Sequence, residues 1–262
     1  MERLLTDLAD ANLIDSVRQH ARWQHPCESA EADGVLMMAG ANAAPFAYRN
    51  CAIRVDPDVP APEALQRAQA YFGERDRRFT FILRDGRDTD LVPVLEAAGL
   101  RERSTAPCML ADTAGTEPTS RGSIHVREFD DLQLVQDAVA VNAAAFQSLG
   151  LSSGEIRNYF NKPEGLLAEA VAGFIAYLGD RPVATAMTLL SGEAAGLYWV
   201  GTLEEARGRG LGAWCTWLAT RAGFERGARG DSTGKPLWGA DLSPAGLPDL
   251  RPDAVVRVTA TR

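Results

Sequence analysis

Cysteine is sparse in this chain of 262 residues, and the four present, Cys27, Cys51, Cys108 and Cys215, never form a C-x-x-C pair. Their spacing offers neither a zinc site nor a disulfide framework, so buried thiols and no bound metal are expected. Histidine is scarcer still. His20, His25 and His125 form no visible triad or metal set, and core or surface roles are expected of them. Positive charge is also in deficit: the net charge is -8 and the pI about 5.0, which argues against a nucleic-acid partner, because nonspecific binding rests on neutralised phosphates. No apolar run approaches membrane-spanning length, and the opening Met1-Glu2-Arg3-Leu4-Leu5-Thr6-Asp7 has no apolar signal core. A cytoplasmic protein without a membrane partner is the expectation. Two nucleotide fingerprints are missing as well. No G-x-G-x-x-G opens a βαβ unit, and Gly234-Lys235 is followed by Pro236 where a P-loop needs Ser or Thr.

What remains is enough hydrophobic material, 46% of residues, to bury one large core or two small ones. The most informative stretch runs from Tyr198 to Gly227. A short strand ends at Thr202, the chain turns through Arg207-Gly208-Arg209-Gly210-Leu211-Gly212, and a helix follows over 213–227, with Leu211, Trp214, Cys215, Leu218 and Ala222 on one face. Strand, glycine turn and helix start together gather unpaired backbone N-H groups and the positive end of a helix dipole around one point. Arg207 and Arg209 add fixed charge, so an anion is expected there. The tetrapeptide alone would equally suit a surface turn or an RGG-like tail; the flanking strand and helix favour the anion site.

The arrangement Arg207-x-x-Gly210-x-Gly212 behind the strand 197–202 resembles the acetyl-coenzyme A pyrophosphate loop of the GCN5-related N-acetyltransferase (GNAT) superfamily, over roughly residues 123–227. The wording Val-Gly-Thr-Leu-Glu-Glu-Ala-Arg-Gly-Arg-Gly-Leu-Gly is similar to that of bacterial tandem-GNAT proteins. The resemblance implies acetyl-CoA as co-substrate. It places the pyrophosphate on Arg207, Gly208, Arg209, Gly210, Leu211, Gly212 and Ala213, and the pantetheine arm on Val200, Gly201 and Thr202. It implies transfer of an acetyl group to a primary amine, on a small molecule or a protein, by direct attack, and leaves a homodimer open.

In chain order, the spacing predicts a helix over 2–20, with Asp10 and Asn12 as an interruption and cap. Strands are expected at 34–38, 50–55, 79–83 and 106–110, and helices at 62–74 and 90–98. After a linker at 111–122 come a strand at 123–128, helices at 131–146 and 156–160, a hairpin of 173–178 with 181–190, and the strand 197–202. The loop 147–154 would border the acceptor groove in a GNAT protein. The first half repeats the order of a GNAT core, with Asp56-Pro57-Asp58-Val59-Pro60-Ala61-Pro62 where the glycine loop would stand. Proline has no N-H for a phosphate and the aspartates repel one. The expected fold is α/β (α+β), two GNAT-like halves, each a mixed, mostly antiparallel twisted sheet flanked by helices. Its parts are a degenerate half at 1–110, the linker, an acetyl-CoA-binding half at 123–228, and an atypical tail at 229–262.

That tail departs from the family. No tyrosine follows Tyr198, although many GNAT enzymes use one as the acid for the departing thiolate, and the segment is rich in proline with little periodicity. Back-translation with a one-base shift permits Pro-x-Gly-Ala-Pro-Ile-Tyr-Arg-Arg-Leu-Gly-Tyr there, from a menu of choices at each codon. A frameshift near 228–230 is therefore hypothesised, leaving the second half incomplete after residue 228. Resequencing that finds no one-base discrepancy against close relatives would sink it. Three functions stay open: an acetyltransferase, a protein that binds acetyl-CoA but turns it over weakly or not at all, and a structural α/β pair. Glu204 and Glu205 lie near the loop but suit solvated charges. No acid or base is assigned.

Overall fold

The computed structural model describes residues 2–41, 47–110, 114–118, 124–228, 237–239 and 251–260. Two compact units are present, and neither is contiguous: one comprises 14–107 and 253–262, the other 1–13 and 108–252.

In the first of these, the part of α1 (Glu2–Arg22) from Ile14 onward leads into a hairpin of β1 (Cys27–Ala32) and β2 (Val35–Gly40). Its turn is Asp33-Gly34, with φ of 47° and 83°. Two positive φ values suit the twist of a tight hairpin, so Gly34 lies in the turn, and the strand expected from residue 34 begins at Val35. β3 (Asn50–Arg54) pairs antiparallel with β2. After α2 (Ala61–Gly73), β4 (Thr80–Arg84) lies parallel to β3, and β11 (Arg251–Ala260) pairs antiparallel with β4. Every residue of β2, β3 and β4 is buried. α3 (Leu91–Ala97) and β5 (Arg101–Leu110) follow. Phe72 and Phe79 stack at 4.7 Å, and Leu91, Leu95 and Leu100 complete the same core.

His20 is fully buried on α1, stacked on Tyr48 at 3.8 Å, with Nδ1 2.6 Å from the Ser16 carbonyl. Burial pushes its pKa down to about 3. The folded chain therefore keeps it neutral while the unfolded chain protonates it near the free value of ~6.5. Its stabilisation is complete above that value and is lost as pH falls toward 3, by up to about 1.4 kcal/mol per unit. Urea unfolding at neutral pH and near pH 5 should show this loss, and a His20→Phe chain should show a shallower one.

The second unit carries β6 (Ile124–Glu128), α4 (Leu132–Ala145), α5 (Ser153–Tyr159), β7 (Val171–Leu178), β8 (Arg181–Ser191), β9 (Ala194–Thr202), α6 (Leu211–Glu225) and β10 (Leu237–Gly239). Its strand order is β5-β10-β9-β8-β7-β6. All neighbours are antiparallel except β9 and β10, which are parallel. Asp131 caps α4 through its side chain on the Leu134 N-H, and Ser152 with Glu155 forms a capping box on α5. α6 packs its buried Leu211, Cys215 and Ala219 against Ala184, Ala186 and Leu197 of the sheet.

The interruption expected at Asp10 and Asn12 is absent; α1 runs unbroken from Glu2 to Arg22. Asn12, 2% exposed, does not cap local backbone. Its Nδ2 donates to Leu189 O at 2.9 Å, and its Oδ1 accepts from the Tyr198 hydroxyl at 2.8 Å. Tertiary partners have taken the side chain that a local turn would otherwise use. The frameshift and missing-segment expectations fall mostly on 229–236, 240–250 and 261–262, outside the described residues. Among the described residues of the tail, the backbone of β10 and β11 is strand.

Candidate functional site

β9 is the strand that carries the site. On one side it pairs with β8, but out of step: Met187 faces Tyr198 and Thr185 faces Gly201, so Trp199 and Val200 share the place opposite Ala186. This is a β-bulge. Trp199 takes φ of 53°, a left-handed conformation costly for a bulky side chain, and its ring is held against Phe160 at 4.7 Å and against Phe146 and Tyr159 at 5.3 Å. On the other side β10 pairs only with Gly196 and Leu197. Among the described residues, no strand pairs with that edge from Tyr198 to Thr202. Val200 closes the bulge, and Gly201 and Thr202 follow it on a strand whose outer edge has no partner strand there among the described residues.

The chain then makes a one-turn 3-10 helix at Glu204–Ala206, and enters α6 through Gly210, whose φ of 79° and ψ of 4° are left-handed. No side chain caps α6, and its first backbone bond is Trp214 N-H to Gly210 O at 3.0 Å. The amides of Leu211, Gly212 and Ala213 therefore have no acceptor within the helix. Gly208, also left-handed at φ of 73°, has no atom within 4 Å of a built Cβ, whereas one on Gly212 would lie 2.7 Å from Thr202 Oγ1. A side chain at 212 would push the helix start off the strand end.

The charges around the turn divide. Arg207 Nε donates to Thr202 O at 3.3 Å and its Nη2 to Ser148 Oγ at 3.2 Å, so this arginine ties the strand end to the α4–α5 connection. Arg209 is exposed and has no ion pair among the described residues. Glu205 is bound to Arg181, and Glu204 is exposed. Of the ten residues picked from sequence, Val200, Gly201 and Thr202 end β9, Arg207, Gly208, Arg209 and Gly210 form the turn, and Leu211, Gly212 and Ala213 open the helix. The structure brings them onto one strand–turn–helix path.

Residues 119–235 match the family model described as an acetyltransferase (GNAT) domain. These residues belong to the GNAT superfamily. The whole chain is similar in fold to a GCN5-related N-acetyltransferase from Kribbella flavida, at 20% identity and a TM-score of 0.69, with 96% of this chain and 95% of that one covered. It is similar also to a tandem GNAT protein from the clavulanic acid biosynthesis pathway, at 12% identity and a TM-score of 0.60, covering 91% and 84%. A GCN5-related N-acetyltransferase from Sphaerobacter thermophilus aligns at 13% identity and a TM-score of 0.56, covering 97% and 93%. Among curated protein sequences none matches.

The first-half GNAT-like unit lacks such a slot. β3 and β4 stay paired from Cys51↔Thr80 to Ile53↔Ile82, without a splayed edge. At the end of β3, Arg54 is buried and donates to Asp88, Asp90, Val59 O and Arg87 O. Pro60 stands at the N-cap of α2, and Asp56 Oδ1 accepts from the Asp58 N-H at 2.9 Å. The loop that would hold phosphate satisfies itself.

Other groups are accounted for. Cys51 and Cys215 are buried, and burial pushes both thiols up to about 12, which makes them inert. His25 and His125 are exposed. Among the described residues, no three His, Cys, Asp or Glu side chains gather to hold a metal, and no helix is long and apolar enough to cross a membrane. Sequence reasoning missed the Trp199 bulge, the Arg207–Ser148 tie and Asn142, a buried amide on α4 beside Gly201. The single Asn in the apolar run Ala140-Val141-Asn142-Ala143-Ala144-Ala145 was the signal for the last.

Proposed function

We propose that this chain transfers an acetyl group from acetyl-CoA to a primary amine of a small molecule or protein. The observation that carries the proposal is the end of β9, unpaired on its outer edge among the described residues, leading through the glycine turn into a helix start whose amides have no acceptor within the helix. A pyrophosphate satisfies the amides of Leu211, Gly212 and Ala213 together, with the α6 dipole and Arg209 adding attraction. The outward-facing backbone groups along 200–202, of which Thr202 O already accepts from Arg207 Nε, suit the amides of a pantetheine arm, as a neighbouring strand would. Acetyl-CoA supplies the activated acyl group. The protein's part is to hold that group still beside the bulge at Trp199, so that an amine attacks within one encounter complex, an effect of positioning.

A second reading, acetyl-CoA binding with weak or absent turnover, is favoured by the lack of any tyrosine after Tyr198. Thermal unfolding with and without acetyl-CoA tests both readings against a purely structural role. At about a hundred times the dissociation constant, stabilisation of roughly 2.7 kcal/mol is expected. Thiol release with a panel of amines then separates turnover from binding alone. No stabilisation at millimolar acetyl-CoA would remove both.

A further inference from the structure

We infer that Asn142 is a positioning residue of the acyl-donor slot, whose side-chain carbonyl accepts a hydrogen bond from a pantetheine amide N-H. This deepens the proposed function and rests on it. Asn142 is 1% exposed on α4, and its Oδ1 is buried without a hydrogen-bond partner among the described residues. A buried carbonyl left unpaired costs free energy, and such groups are rare in folded chains. Its position is specific. Oδ1 lies 2.5 Å from where a Cβ on Gly201 would be, with the Ala145 methyl 3.4 Å from the same point.

Gly201 is the residue directly after the bulge, on the strand whose outer edge has no partner from Tyr198 onward among the described residues. The absence of a side chain there leaves Asn142 beside bare backbone. Any side chain at 201 would lie between the amide and the strand. A donor arm laid along the free edge presents alternating N-H and C=O groups, as a strand does, and passes the one buried acceptor that α4 turns toward Gly201. The same-face neighbours of Asn142 on α4, Ala138, Val139 and Ala145, are buried and apolar, so no carboxylate at these positions competes for the N-H.

An acceptor retained unpaired in the free protein predicts opposite effects on stability and binding. Removing it should stabilise the free chain and weaken the donor. The test compares wild type with Asn142→Leu and Asn142→Ala, titrated with CoA and, separately, with adenosine 3′,5′-bisphosphate, which carries no pantetheine. Both variants should bind CoA about tenfold more weakly, a change of roughly 1.4 kcal/mol. Their affinity for the bisphosphate should equal that of wild type. The free Asn142→Leu chain should melt about 2–4 °C higher than wild type.

Unchanged CoA affinity in both variants overturns the inference. So does a free Asn142→Leu chain that is less stable with its CoA affinity intact, the pattern of an amide that serves structure or an ordered water. An equal loss of CoA and bisphosphate affinity overturns it too, because the effect would not then lie at the arm. If wild type binds neither compound, the proposed function fails and the inference with it. If wild type binds CoA and the variants match it, the inference alone fails.

Discussion

Asp88→Asn should lower the stability of the first-half unit by about 3–5 kcal/mol, the loss seen when one member of a buried ion network is removed. Asp88 is 1% exposed in its side chain, and Arg54 is 3% exposed. The aspartate accepts from Arg54 Nε at 3.2 Å and Nη2 at 3.1 Å. It also accepts from Arg84 Nε and the Arg84 backbone N-H, both at 2.9 Å. An asparagine of the same shape removes the charge that two buried guanidiniums share and turns an N-H2 group toward one of them. Arg54 would be left with Asp90, which is half exposed and a weaker partner. The urea midpoint should fall while the slope stays the same. A change worth less than ~1 kcal/mol would mean that water already screens the network.

Acid should act on the same cluster. The hydrogen bond from Arg54 holds the Asp90 carboxyl below its ordinary range. Stability from this contact is present above the unfolded carboxylate value and is lost as pH falls through the lowered one. The His20 effect begins earlier, below about 6.5, so the two can be separated by pH.

Gly210→Val should weaken acetyl-CoA binding by roughly 10- to 100-fold while leaving both units folded. At φ of 79° a β-branched residue is strained by about 1–3 kcal/mol, and the turn relieves that strain only by moving the first amides of α6. Those amides are the ones that need to converge on one anion. Gly210→Asn is the control, because asparagine tolerates the left-handed region and should lose severalfold at most. Calorimetric titration with CoA, beside circular dichroism of the free variants, checks both. A valine variant that binds as wild type would mean that the loop amides do not hold the ligand.

Much of this architecture was legible because its signals are local. Arg207-x-x-Gly210-x-Gly212 behind an apolar strand reports its own geometry, since left-handed positions and helix starts select glycine. The helix α2 and the wholly buried β3 and β4 were found by apolar spacing. β1 was not, because Cys27-Glu28-Ser29-Ala30-Glu31-Ala32 is a half-exposed strand that reads as polar. Asn12 was misread as a cap because its partners, Leu189 and Tyr198, lie far along the chain. The bulge at Trp199 escaped for a related reason: no residue in β9 reports its register against β8, and tryptophan is a poor marker of positive φ. Asn142 has meaning only once α4 is laid beside Gly201.

The bond between Asn12 and Leu189 spans 177 positions of sequence. On a ribosome adding about 5–20 residues per second, Asn12 is made roughly 9–35 s before the carbonyl that it will hold. The Asn12 turn of α1 must stay available through that interval, so a partner that trapped it early would block assembly of the unit that carries the proposed acyl-donor slot.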